Sequence, residues 1–298
     1  MTVAPAPAPA RQATYQAPPR IAVIGHVEFV TIARVPALPA LGEIVHLDDV
    51  THIAGGGGGI AFFQLTRGPG EIHLFTALGG DDAASVVHQQ VVATSAQLHI
   101  ARRDDPHTRD LVLVTPGGER TIFVLGEPLH PRADDRLGWD LLRTCDGAYF
   151  TAQDPEALRQ ARQARTLVVT ARRREALNVS GVRADVVVGS ALDPREASAR
   201  ADYANPPDAL VMTEGSRGGR IETADGIARF DAPETSEAPG AMYGAGDTFA
   251  GALTWYVTCG MPVEEACARA AGHAAAVLRG INPLENQLPL EAPSGSRG

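Results

Sequence analysis

Hydrophobic and polar positions alternate along this chain with two different rhythms. Arg20-Ile21-Ala22-Val23-Ile24-Gly25 is a short apolar run closed by glycine and predicts a buried strand. VEFVTIARV, from Val27, and EIVHLDDVTHI, from Glu43, are rich in β-branched residues but partly polar. They predict strands with one exposed face, in a small sheet outside the main core. The glycines Gly55 to Gly59 predict a turn, IAFFQLTRG a helix ending at Gly68, and EIHLFTALG another buried strand. HTRDLVLVTPGGERTIFVLG predicts a hairpin, its strands flanking Pro116-Gly117-Gly118. Beyond Asp134 come the apolar runs DGAYFTA, RTLVVTA, ADVVVGS and DALVMTEG, some separated by helical segments such as PEALRQARQA. Helices are predicted after Asp247 and from about Pro262 to Gly280.

Short buried strands alternating with helices predict an α/β fold, a central mostly parallel sheet with helices on both faces. Strands near 27–53 and 107–125 predict a small β-sheet lid over the strand ends, where open α/β sheets bind ligands. Residues 1–19, with their Ala-Pro alternation, predict a disordered arm; 20–285 one domain; 286–298 a loose tail. The N-terminal segment lacks the charged start and apolar core of a signal peptide.

Composition narrows the function. Hydrophobic residues make up 44% and charged residues 20%, values of a soluble globular protein. The net charge of −9 disfavours nucleic-acid or anionic-membrane partners, and no apolar run reaches the roughly 18 residues of a membrane span. Cys145, Cys259 and Cys267 show no C-x-x-C spacing, which fits buried thiols in a cytoplasmic protein. All 26 basic residues are arginine. A P-loop, Schiff-base catalysis and protein-kinase chemistry all need a lysine and are excluded.

Gly244-Ala245-Gly246-Asp247 is the most informative motif. A glycine-rich turn opening a helix aims bare N–H groups at one spot, and the helix dipole adds positive charge there. Asp247 beside that spot can take a proton, which gives the equipment for phosphoryl transfer to an alcohol. The same four residues also suit an ordinary loop with Asp247 as helix N-cap. Gly56-x-Gly58-x-x-Ala61, with Asp81 20 residues on, matches a dinucleotide fingerprint, but DDVTHI before it is too polar for a buried first strand. The preferred reading is a turn where backbone closely approaches a polyhydroxy ligand. His26 lies near a motif and is expected to be exposed or satisfied in the core. His107 and His130 are expected at the surface, Trp139 and Trp255 in or near the core. Arg172-Arg173-Arg174 reads as a solvated cluster that, after a strand end, has the option of meeting an anionic substrate.

Taken in order from about Ile21 to Gly280, the motifs resemble the PfkB (ribokinase-like) carbohydrate kinase family. Gly25-His26-Val27-Glu28 resembles its glycine followed by an acidic sugar contact, and Pro39-Ala40-Leu41-Gly42-Glu43 its P-x-x-G-E. The glycine run resembles its substrate motif, and Gly79-Gly80-Asp81-Asp82 its G-x-D-D. Gly118-Glu119-Arg120-Thr121 resembles a lid turn, Thr213-Glu214-Gly215-Ser216-Arg217-Gly218 its T-x-G-x-x-G, and GAGDTFAGAL its most specific signature.

The resemblance implies a ribokinase-like fold and ATP-dependent phosphorylation of a hydroxymethyl group on a sugar or sugar-like substrate. It implies Asp247 as general base, with the backbone from Gly244 through Ala245 and Gly246 to Asp247 as anion hole. Thr213, Gly215, Gly218 and Gly246 would serve the nucleotide. Glu28, Gly56, Gly57, Gly58 and Asp247 would face the substrate. Mg2+ would bridge the ATP phosphates, and two lid sheets would pair in a homodimer. The chain departs from the family at three places. Gly59 and Ile60 stand where an asparagine is usual, and Ala241-Met242-Tyr243 where Asp-Thr-x is usual. Ser190-Ala191-Leu192-Asp193 replaces N-x-x-E, with Asp193 or Glu196 as stand-in toward the metal. A nucleoside kinase of the same fold, a non-catalytic sugar- or nucleotide-binding regulator and a dinucleotide-dependent dehydrogenase are the alternatives.

Overall fold

The first apolar run forms β1 (Arg20–Ile24), buried on both faces: Ile21 and Val23 enter one hydrophobic core, Ala22 and Ile24 the other. A central parallel strand alternates between two cores and so carries no polar face. The computed structural model describes residues 18–47, 50–234 and 239–291. After β1 come β2 (Glu28–Arg34), β3 (Thr51–Gly55), α1 (Gly56–Leu65), β4 (Glu71–Leu78), α2 (Asp82–Val92) and β5 (Gln97–Arg102). The hairpin β6 (Arg109–Val114) and β7 (Arg120–Leu125) follows. Then come β8 (Gly147–Phe150), α3 (Pro155–Ala161), β9 (Thr166–Thr170), α4 (Arg174–Ser180) and β10 (Val186–Ser190). The chain continues through β11 (Ala209–Thr213), β12 (Gly219–Glu222), β13 (Ile227–Phe230), α5 (Ala245–Thr258) and α6 (Val263–Val277).

Nine strands form one sheet in the order β13-β12-β11-β10-β9-β8-β1-β4-β5. It is parallel from β11 to β5, with β12 and β13 as an antiparallel edge. Phe62, Val87, Trp255 and Ala270 place α1, α2, α5 and α6 on one core, while Leu158 and Leu177 place α3 and α4 on the other. The strand order reverses between β1 and β8. That switch point leaves a crevice beyond their carboxyl ends, at Gly25-His26 and Thr151.

The small sheet has the order β3-β2-β6-β7, with β2 and β6 parallel and both outer pairs antiparallel. Its inner face, Val30, Ile32, Ile53, Val112 and Val114, packs on Ile60, Ala241 and Tyr243. It therefore sits against the start of α1 and the segment leading into α5, beside the crevice.

Two expectations are corrected here. EIVHLDDVTHI was expected as one strand, but only Thr51–Gly55 pairs. β3 runs antiparallel to β2 with Thr51 opposite Ile32, and β2 ends at Arg34, so a strand continued back to Glu43 would run past the end of its partner. Val45 and Leu47 instead pack over Ala33, Val35 and Leu113, and Ile44 is exposed; residues 48–49 lie outside the described residues. The glycine run is not a free turn: Gly56–Gly59 form the first turn of α1. Tertiary packing overrides the poor helix propensity of glycine, because a Cβ on Gly58 would lie 2.4 Å from the His26 carbonyl oxygen. The arm expected at 1–19 lies almost wholly outside the described residues. Of the expected tail, residues 286–291 pack on the body: Gln287 donates to the Ile60 carbonyl (2.9 Å), and Trp255 Nε1 donates to that of Glu291 (3.1 Å).

Candidate active site

Helix α5 is entered through Gly244 at the N-cap position, whose φ of +81° suits glycine; a Cβ there would lie 2.9 Å from Pro283. Asp247 is the third residue of the helix and caps nothing, so the N-cap reading of this motif fails. Thr248 N–H is the first to bond back, to the Gly244 carbonyl at 2.9 Å. The amides of Ala245, Gly246 and Asp247 thus lie in the helix's unsatisfied first turn. Gly246 is exposed, and a Cβ added to it would meet nothing within 4 Å. Open space adjoins these amides, and the dipole makes it favourable for an anion.

Gly57 marks the middle of the site. A Cβ there would lie 3.2 Å from Asp247 Oδ1, 3.3 Å from Thr151 Oγ1 and 3.6 Å from His26 Cε1. Those three groups come from α5, the end of β8 and the end of β1, and the fold brings them together at the switch point. Burial, reinforced by the charge of Glu196, pushes the Asp247 carboxyl up to about 6, against the opposing pull of Arg172 and Arg120. A carboxylate so placed is ionised at neutral pH and basic enough to accept a proton.

His26 Nε2 accepts the Gly57 N–H at 3.3 Å, and burial, then His130 and the arginines, push its imidazole well below the ordinary value. It is a neutral site residue, not an exposed one. Glu28, 6% exposed, lies beside Gly56, where a Cβ would come within 2.7 Å of its Oε2. Glu28 also faces Asp110, another buried carboxyl. Burial raises both; at Glu28 the charge of Asp110 and the hydrogen bond between the two carboxyls add to it and carry it well above the carboxylate range, whereas at Asp110 that hydrogen bond opposes the rise, so the pair's proton rests on Glu28. Tyr243 stands over the same corner, its hydroxyl accepting the Gly56 N–H at 3.4 Å.

The arginine cluster divides. Arg172 reaches Asp193 Oδ2 at 2.7 Å and Glu196 Oε1 at 2.6 Å, so both candidate metal ligands are ion-paired. Arg173 donates through Nε to the Thr151 carbonyl at 2.8 Å. Burial, with Arg172 beside it, lowers it to about 10, and among the described residues it forms no ion pair. Among the described residues no group of three or more His, Cys, Asp or Glu is placed to hold a metal.

The T-x-G-x-x-G segment turns from β11 into β12. Thr213 Oγ1 donates to the Gly189 carbonyl (3.3 Å), and Gly215 has φ +64°. A Cβ on Gly218 would lie 2.0 Å from the Phe230 carbonyl oxygen, so close packing on β13 alone requires glycine there. Asp81 caps α2 through Ala84 N–H (3.1 Å) and pairs with Arg109 at 2.9 Å. The glycine run follows β3 of the small sheet, not the first strand of the parallel sheet, so the dinucleotide arrangement is absent.

Sequence reasoning missed Thr151, Asp110 and Tyr243. Asp110 had a signal, a lone carboxylate inside the apolar strand RDLVLV. His107 and His130 were expected at the surface but are 1% and 8% exposed, buried where the small sheet meets the strand ends of the body.

Residues 143–287 match the model of the pfkB family carbohydrate kinases. No curated protein matches the chain. Among solved structures, the ribokinase of Thermotoga maritima superposes with a TM-score of 0.73 at 16% identity, covering 91% of this chain and 96% of that one. The Arabidopsis thaliana ribokinase complexed with ribose and ATP gives 0.72 at 13%, covering 91% and 96%. The adenosine kinase of Sinorhizobium meliloti gives 0.71 at 18%, covering 93% and 97%. The fold is ribokinase-like, and the carbohydrate-kinase signature lies in its C-terminal half.

Proposed function

We propose that this pfkB-type, ribokinase-like chain is an ATP-dependent kinase that phosphorylates the hydroxymethyl group of a sugar or sugar-like substrate. The observation that carries the proposal is Asp247, raised to about 6, in the first turn of α5 beside three amides that have no helical partner. ATP supplies the transferred γ-phosphoryl group. Asp247 takes the proton from the attacking hydroxyl. The amides of Ala245, Gly246 and Asp247 receive the charge that develops on the transferring group, and Arg173 adds a nearby cation without a carboxylate of its own.

Glu28, with the backbone at Gly56, Gly57 and Gly58, orients the acceptor's hydroxyls. The protonated Glu28–Asp110 pair both donates and accepts hydrogen bonds. Thr213, Gly215, Gly218 and Gly246 border the nucleotide. Asp193 and Glu196 are engaged by Arg172 and offer no free carboxylate to Mg2+. The metal is therefore assigned to the ATP phosphates, and no step is routed through it. Settling of the small sheet over the crevice would exclude water.

The test is ADP release with ATP and Mg2+ across a panel of sugars and nucleosides. Turnover with a sugar supports the reading, and preference for nucleosides moves the assignment to a nucleoside kinase. Saturable binding without any turnover replaces it with a regulator. Asp247→Asn should abolish transfer while ligand binding persists; near-normal turnover in that variant removes Asp247 as the base. A homodimer through the small sheet belongs to the same proposal, because β7 is an edge strand with Phe123 and Val124 half exposed. Sedimentation at the monomer mass at micromolar concentration would dismiss it.

A further inference from the structure

A cavity of about 1030 Å3 adjoins the site, between the lid strands and the ends of β5 and β8. His107, Leu125, Leu129, His130, Arg132 and Gln153 are among its walls. Pockets that enclose drug-sized ligands run to about 300–1,000 Å3, so this space exceeds what one sugar ring needs. His130 joins the two compartments. Its ring meets that of His26 edge to face at 4.9 Å, and Arg103 fixes it by donating to its carbonyl at 3.2 Å.

His130 is more than nine-tenths buried, yet neither ring nitrogen has a hydrogen-bond partner among the described residues. A buried polar group left unpaired is costly, and both nitrogens show almost no surface to the cavity as the ring stands; a turn of the ring toward a ligand hydroxyl would give them the partner they lack. The charges say which kind. Five carboxylates and three arginines line the cavity, and two of the arginines are already paired, Arg103 with Asp135 and Arg109 with Asp81. The balance rejects an anionic group. No Phe, Tyr or Trp lines the space, and its two smaller rings, His107 and His130, are themselves almost wholly buried, so a nucleobase finds no broad aromatic platform.

We propose that the cavity is a second subsite for a further neutral sugar ring, so that the acceptor is a disaccharide or larger glycoside. The hydroxymethyl-bearing ring would sit at Asp247 and the next ring against His130. This rests on the kinase reading above for the position of the first ring. The second ring makes no contact with the reacting atoms.

The test compares glucose with maltose and maltotriose, fructose with sucrose, and ribose with adenosine, by ADP release and by calorimetry without ATP. Gln153→Trp fills the cavity from an exposed wall position and leaves the Asp247 site untouched. The inference expects kcat/KM for a disaccharide at least about ten-fold above that of its monosaccharide, and loss of that preference in Gln153→Trp with monosaccharide turnover unchanged. If a monosaccharide is phosphorylated as well as its disaccharide, or adenosine is preferred, the subsite falls and the kinase reading stands. If nothing is phosphorylated but a disaccharide binds and Gln153→Trp abolishes the binding, the subsite stands and the kinase reading falls.

Discussion

Asp247 concentrates the residue-scale physics of the site. Its carboxyl is raised to about 6, from about 3.9 in an unfolded chain, chiefly by burial. Two outcomes follow from that one displacement. As a base Asp247 must be ionised, so kcat/KM should fall on the acid side with an apparent pKa near 6; a flat profile from pH 5 to 7 would exclude it. The linkage sign runs the other way for stability. A carboxyl with a raised folded-state pKa is more ionised in the unfolded chain between the two values, so its charge costs the fold most above about 6 and nothing below about 4. Two units correspond to about 3 kcal/mol, and partial exposure reduces that to about 1–2. Asp247→Asn should therefore raise Tm at pH 8, by roughly 2–4 °C per kcal/mol, and leave it unchanged at pH 4. A variant destabilised equally at both pH values would show that the carboxylate is structural.

At the scale of elements, the start of α1 holds two neighbouring glycines kept for different reasons. Gly57 borders the site: an added methyl would press on Asp247 Oδ1 and Thr151 Oγ1, while alanine would favour the helix by about 0.5–1 kcal/mol. Gly57→Ala should keep or raise Tm and lower kcat/KM by about a hundred-fold, the scale of a 1 Å misplacement. Gly58 borders backbone, with the His26 carbonyl oxygen 2.4 Å from a built Cβ. Gly58→Ala should lower stability by about 1–3 kcal/mol through overpacking. Thermal unfolding beside steady-state kinetics separates the two, and equal behaviour of both variants would refute the division. The sequence shows that the glycines matter but not how they differ. Their neighbours come from β1, β8 and α5, up to about 190 positions away, and no local pattern carries that. The strands of the body were legible, because burial on both faces writes continuous apolar runs such as IAVI and TLVVT. The Glu43–Leu47 segment was misread for the converse reason. Its β-branched residues cover the outer face of a sheet instead of entering its ladder, and a one-dimensional pattern does not tell these apart.

The whole molecule joins a small sheet to an α/β body, and one charge spans the junction. Arg120 opens β7, the edge strand of the small sheet, yet its field reaches Asp247 on α5 of the body and lowers its carboxyl. The sequence displayed Arg120 in a Gly-Glu-Arg-Thr turn and Asp247 in its glycine motif, 127 positions apart. Only the docking of the sheet makes them one electrostatic unit. The site's glycine and aspartate motifs were thus readable from order alone. Its partners Thr151, Asp110, Tyr243 and His130 were not, being single residues that acquire a role through their neighbours. If the small sheet acts on the proposed base through charge, Arg120→Ala should raise the acid limb of kcat/KM by a few tenths of a pH unit, and Arg120→Lys should leave it in place. Arg120 is exposed, so its field is screened over about 8–10 Å at physiological ionic strength. Added salt should therefore move the limb of the parent protein in the same direction and have less effect on Arg120→Ala. A limb that stays fixed in Arg120→Ala, or moves equally in Arg120→Lys, would mean that the lid influences the base through packing alone.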